Sequence, residues 1–175
     1  MDKTKILKQR HVMLENLKDE LNAAEIAAEL GAEEDGFEMV TTMLDEVGDT
    51  DSEMIGEFFF RPLLTEEDEV QYFAAVLTVP DEIPADRLPA LYEAVSYVNF
   101  TLPAGCFSID MDHQYFCYVL SVPLPIDLED GEVFREMDLA AGNAMAIADA
   151  HVGILLDVIN GREGIEGVRQ FLGGE

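Results

Sequence analysis

PADRLPALYEAVSYVNFTLPAGCFSIDMDHQYFCYVLSVPLP, running from Pro84 to Pro125, is the stretch that decides the architecture. Leu88, Leu91, Tyr92, Val95 and Val98 recur at helical spacing, which predicts a helix over Asp86–Phe100. Pro103 cannot continue the helical ladder, and Gly105 accepts turn conformations closed to other residues, so Thr101 to Gly105 reads as a break. Two strands are expected next, Cys106–Met111 and Gln114–Val122, joined at Asp112 and His113. In them Phe107, Ile109, Phe116, Tyr118, Leu120 and Val122 alternate with smaller or more polar residues, a period of two that gathers the large side chains on one face. Pro123 and Pro125 are expected to end the second strand.

Upstream, residues 4–30 read as a helix, with Leu7, Leu14, Leu17, Leu21 and Ala24 as its stripe and Gly31 as a stop. The run of alanine and glutamate from Asn22 to Leu30 supports that length. Three strand candidates come next, Phe37–Leu44, Met54–Arg61 and Val70–Val79, separated by turn chemistry at 48–52 and an acidic turn at 65–69. Downstream, Phe134, Met137, Ala141, Ala144, Ala148, Val152, Leu155 and Ile159 mark a long helix from Leu128 to Asn160. Gly161 stops it, and a short helix over Ile165–Leu172 closes the chain. The reading is one α+β domain over residues 1–175, of order αβββαββα. Local connections favour an antiparallel five-stranded sheet with helices packed on one side.

This order resembles the type III secretion chaperone-like fold. The segment Ala90 to Phe100, followed by Leu102 to Asp110, is similar to the central segment of the YbjN-like family of bacterial sensory transduction regulators, where a helix ending in Asn leads through a Gly-containing turn into a hairpin. The resemblance implies a non-enzymatic, acidic, often dimeric module that binds or regulates other polypeptides, with no cofactor and no catalytic residues to carry over. Asn99 matches the family position and reads as a cap on the turn.

Charge is the strongest compositional signal. The net charge of −27 opposes binding to nucleic acid or to an anionic membrane. Lys3, Lys5, Lys8, Arg10 and Lys18, against Asp2 and Glu15, give residues 1–18 about +3, so the remainder carries about −30. The basic segment suits a helix face attracted to the acidic body, or the steering of a basic partner. No apolar leader follows the N-terminal charges, and Asp149 and Asp157 interrupt the most apolar helix, so a cytoplasmic protein with no membrane span is expected. Cys106 and Cys117 fall on one face of the hairpin, opposite or one diagonal apart, and read as reduced.

No nucleophile–base set, phosphate loop or metalloprotease motif is present in the sequence. Asp49, Asp51 and Glu53 begin like a calcium loop, but Met54 and Phe60 occupy the positions that need glycine and glutamate. Asp110, Asp112 and His113 could supply two carboxylates and an imidazole to a metal, which leaves a metal- or ligand-binding protein as the alternative function. Three consecutive phenylalanines, 58–60, must divide between the two faces of a strand. Phe58 and Phe60 are therefore the candidate contact surface for a partner polypeptide or for a second copy in a homodimer. Self-repulsion of the acidic body predicts that added salt stabilises the fold. The melting temperature should rise between low and moderate ionic strength; an unchanged value would remove repulsion as a significant term.

Overall fold

The computed structural model describes residues 3–32, 37–48, 50–63, 69–111 and 113–173. Its elements are α1 (Lys3–Ala23), β1 (Ala28–Ala32), β2 (Glu38–Val47), β3 (Ser52–Phe60), β4 (Val70–Val79), α2 (Leu88–Thr101), β5 (Cys106–Asp110), β6 (Tyr115–Pro125), α3 (Asp130–Ile159) and α4 (Ile165–Phe171). The class is α+β, with one open antiparallel sheet in the order β1-β2-β3-β4-β6-β5. The sheet has six strands rather than the expected five.

The added strand comes from residues read as helix. At the end of α1, Glu25 adopts a left-handed conformation with φ 65°. The amide of Ile26 reaches the carbonyl of Leu21 at 2.9 Å, and that of Glu25 reaches Asn22 at 3.2 Å. These are the paired bonds of a Schellman stop, here without the usual glycine. The Asn22 side chain donates to the carbonyls of Lys18 and Ala28 and accepts from the amide of Ala28. Ala28 to Ala32 then pair with Thr42 to Glu38 of β2. Sheet pairing outweighs the helix propensity of an alanine-rich run, and Gly31 lies inside β1 instead of ending a helix.

Two compact units divide the chain, each discontinuous in sequence. The first comprises Met1–Met43, Gly56–Val76 and Leu120–Asn143. Its interior holds Ile6, Met13, Leu14, Leu17 and Leu21 of α1 with Phe58, Phe60, Phe73, Leu124, Val133 and Met137. Phe58 stacks on Phe73 at 6.5 Å between centroids, and Phe60 meets Phe73 edge-on at 5.8 Å. Leu7, expected in the α1 stripe, is 49% exposed; Ile6 and Arg10 take the inward positions.

The second unit comprises Leu44–Ile55, Leu77–Val119 and Ala144–Glu175. Here Asn99, at the end of α2, accepts from the amide of Phe107 at 2.7 Å and donates to its carbonyl at 2.9 Å. One side-chain amide thus serves the outer side of β5 as a neighbouring strand would. Gly105 has φ 66°, and a Cβ there would fall 2.3 Å from the Tyr118 hydroxyl oxygen. That hydroxyl donates to the Ala104 carbonyl at 2.8 Å, and its pKa is pushed up to about 12, chiefly by desolvation. Gly48 and Gly153 make a comparable approach, with the Gly48 amide donating to Asp149 Oδ1 at 2.8 Å.

The β5–β6 register pairs Cys106 with Val119 and Ser108 with Cys117, which puts the two cysteines one diagonal apart on the less buried face. β6 passes through Pro123 to Pro125, beyond its expected end. Pairing with β5 finishes at Val119, so on that side the prolines interrupt no ladder bond. α3 is also long and apolar enough to cross a membrane by length and composition, contrary to expectation. Val133, Met137, Ala141, Ala144, Ala148, Val152 and Leu155 form a stripe buried inside the chain.

The Asn99 arrangement gives a direct test. Replacing Asn99 by Ala strands the Phe107 amide and carbonyl and should cost about 2 kcal/mol. Asn99→Asp, which keeps only the acceptor, should recover part of that loss in urea unfolding at neutral pH.

Candidate functional site

The sequence-derived candidates occupy different environments. Phe58 is fully buried and Phe60 is 5% exposed, both within the core of the first unit. This corrects their assignment as an exposed contact surface, because neither ring keeps more than 5% of its surface open with the fold intact. Phe59 takes the opposite face, where its ring meets Phe37 edge-on at 5.3 Å, so the same chain supplies its neighbour.

Asp110 and His113 do come together. Asp110 Oδ1 accepts from the His113 amide at 2.9 Å, and Oδ2 lies 3.0 Å from His113 Nδ1. The imidazole also stacks on Tyr115 at 5.9 Å. Both contacts belong to the turn between β5 and β6, where side-chain oxygens satisfy backbone amides. Asp112 lies outside the described residues. Among the described residues no three His, Cys, Asp or Glu side chains converge on a point that could hold a metal.

A groove of about 800 Å³ runs beside α1 in the first unit. Leu7, Val12, Phe37, Pro62 and Leu63 supply its apolar lining, with Lys3, Lys8, His11 and Glu38 also on its walls. Leu7 and Val12 remain 49% and 44% exposed. His11 Nδ1 lies 2.8 Å from Glu38 Oε1, which ties the helix to the start of β2. Lys3 and Lys8 make no ion pair among the described residues.

Arg10 also lines this groove and is only 6% exposed. Its Nε donates to Gln71 Oε1 at 2.9 Å, and its Nη1 donates to the Arg61 carbonyl at 3.1 Å. The guanidinium lies over the Phe60 ring, 4.9 Å from the centroid. Gln71 and Gln9 are within 3.5 Å, and Gln9 donates to Asp130 at 2.7 Å, so the nearest carboxylate along this chain of contacts is three side chains away. Nη2 is fully buried and has no hydrogen-bond partner among the described residues. Desolvation lowers the Arg10 pKa to about 10, which still leaves it charged at neutral pH. A buried cation with an unused donor and no counter-ion among the described residues is expensive.

The sequence contained a signal for this site. Ile6, Arg10, Met13, Leu14, Leu17 and Leu21 share one face of α1, so a cation occupies a core position of the helix. Assigning the stripe to Leu7 in place of Ile6 rotates that face and hides the anomaly.

A second concavity, of about 710 Å³, lies in the second unit beside Gly48, Thr50, Asp149, Asp157 and Arg162. There Asp149 is held by the Gly48 amide, and Arg162 Nη1 lies 3.4 Å from Asp157 Oδ1. Asp149, Asp157 and Arg162 thus already have partners.

No protein-family model matches the sequence. No curated protein matches it either. Among solved structures the chain is similar to an uncharacterized protein from Methanothermobacter thermautotrophicus. Identity is 16%, the match covers 87% of this chain and 99% of that one, and the TM-score is 0.44.

Arg10 lends itself to a stability measurement. Arg10→Met removes the lone buried charge while keeping most of the volume, so its unfolding free energy at pH 7 should stay within about 1 kcal/mol of the wild type or exceed it. A loss of more than about 3 kcal/mol would show that the bonds to Gln71 and Arg61 outweigh the cost of burial.

Proposed function

We propose that the chain is a non-enzymatic, cytoplasmic binding module that receives a segment of another polypeptide in the groove beside α1. In this reading it is a regulator or chaperone-like protein similar to the YbjN-like family, with helices covering one face of its sheet. The observation that carries the proposal is the groove itself. Leu7 and Val12 remain exposed on its wall, with the side chains of Lys3 and Lys8 beside them. Apolar lining around a small number of placed polar groups is the usual composition of a recognition site. The exposed Lys3 and Lys8 on its walls also complement an anionic group on whatever fills the groove. The α+β class and the acidic composition agree with the resemblance seen in the Ala90–Asp110 segment.

Selection from a displayed library of random dodecapeptides tests the proposal. Leu7→Asp and Val12→Asp together change only side chains that face solvent, so the double variant should melt within a few degrees of the wild type. Peptides selected on the wild type should bind this variant at least tenfold more weakly. Equal binding to both proteins, or no enrichment over background on the wild type, would remove the groove from consideration.

A further inference from the structure

We infer that Cys106 and Cys117 together hold a soft monovalent metal ion of the Cu(I) class by two thiolates, on the less buried face of β5 and β6. The inference is independent of the groove beside α1.

The strand register fixes their spacing. Cys106 pairs with Val119 and Cys117 with Ser108, so the two cysteines are diagonal neighbours across adjoining strands. Diagonal Cα atoms in an antiparallel pair lie about 7–8 Å apart, with the Cβ atoms somewhat closer. A disulfide needs Cα atoms within about 7 Å and Cβ atoms about 3.5–4.5 Å apart, so this pair is too wide to close one unless a strand moves. Movement is resisted on both sides of Cys106. Asn99 holds the amide and carbonyl of Phe107, and the Tyr118 hydroxyl closes on the Ala104 carbonyl just before Gly105. A metal ion fits the wider gap. With metal–sulfur bonds of about 2.3 Å, two sulfurs on opposite sides of one ion stand about 4.6 Å apart. The two Cβ–Sγ bonds, turned toward each other, make up the difference from the Cβ spacing.

The donors select the ion. On the same face, the Asp110 carboxylate is engaged by the amide and imidazole of His113. Among the described residues no group of three His, Cys, Asp or Glu includes these thiols at a common point. Structural zinc takes four ligands, and calcium and magnesium take oxygen. Thiolates select soft ions, and Cu(I), with its filled d shell, is stable on a line between two sulfurs. Cys106 is exposed and Cys117 half-buried, so the ion meets the first thiol from solvent and then bridges to the second. As it binds, each S–H bond gives way to an S–Cu bond, and two protons pass to solvent with no change of oxidation state.

Anaerobic titration of the full chain with Cu(I), supplied as its bicinchoninate complex, tests the inference. The wild type should withdraw one Cu(I) per chain, and copper X-ray absorption should show sulfur neighbours only. Cys106→Ser and Cys117→Ser should each weaken binding by more than the roughly 10–100-fold that loss of a supporting residue costs a metal site. Cys106→Ser changes an exposed side chain and should melt within a few degrees of the wild type, which separates loss of copper from loss of fold. Wild-type affinity in either variant, or no copper withdrawn by the wild type, overturns the site. One Cu(I) shared by two chains overturns binding within a single chain. Diamide oxidation of the metal-free folded protein is the second arm: mass spectrometry should find no internal disulfide, and one formed without unfolding overturns the spacing.

Discussion

The structure depends on a period of two in its strands. In β3, Met54, Phe58 and Phe60 point to the interior while Ile55, Glu57 and Phe59 lie on the half-exposed face; β4 and β6 repeat the pattern with Phe73, Leu77, Phe116 and Tyr118. Each large side chain removed from water contributes about 1.5–3 kcal/mol, so a covered face is the main source of stability. That demand also sets the terms for any polar side chain on the same face. Among the described residues only Arg10, Thr42 and Gln71 are buried polar groups. Thr42 donates to the Ala27 carbonyl, and Gln71 accepts from Arg10. Arg10 alone retains an atom that nothing satisfies.

Legibility followed the strength of local pattern. β4 was read to the residue, and α2, α3 and α4 to within two, because each has a clear period and a proline or glycine boundary. β1 was missed because its five residues, Ala-Glu-Leu-Gly-Ala, are weak strand formers whose conformation is fixed by pairing with β2. The helix stop before it rests on Glu25 in a left-handed conformation, which no sequence rule assigns to glutamate. Phe58 and Phe60 were recognised as facing the same way, but nothing in the sequence says which face is covered. Asp110 and His113 were correctly placed together, in a turn whose geometry their own hydrogen bonds explain. The groove was not legible, since it joins α1 to Phe37, Pro62 and Leu63, positions brought together only by the fold.

Charge and burial act in opposition in the first unit. Among the described residues Lys3, Lys5 and Lys8 of α1 form no ion pair, so no paired carboxylate cancels their positive field. Arg10 differs from them in being desolvated, which lowers its pKa to about 10. A surface lysine attracts anions of any shape, whereas the Arg10 guanidinium is held at Nε and Nη1 and has its Nη2 closed off from solvent.

The amide of Asn99 also limits how copies of this chain can meet. Exposed strand edges invite other strands, and proteins that leave them open risk joining edge to edge into fibres. At β5 the amide and carbonyl of Phe107 are already consumed by Asn99, so an incoming strand would find that pairing position taken. Extension of the sheet at this end is therefore obstructed at one position by a side chain two carbons long. A protein that crowds acidic copies together gains from such a stop, because the remaining routes to association run through side-chain surfaces, where sequence can discriminate, and not through backbone, where it cannot.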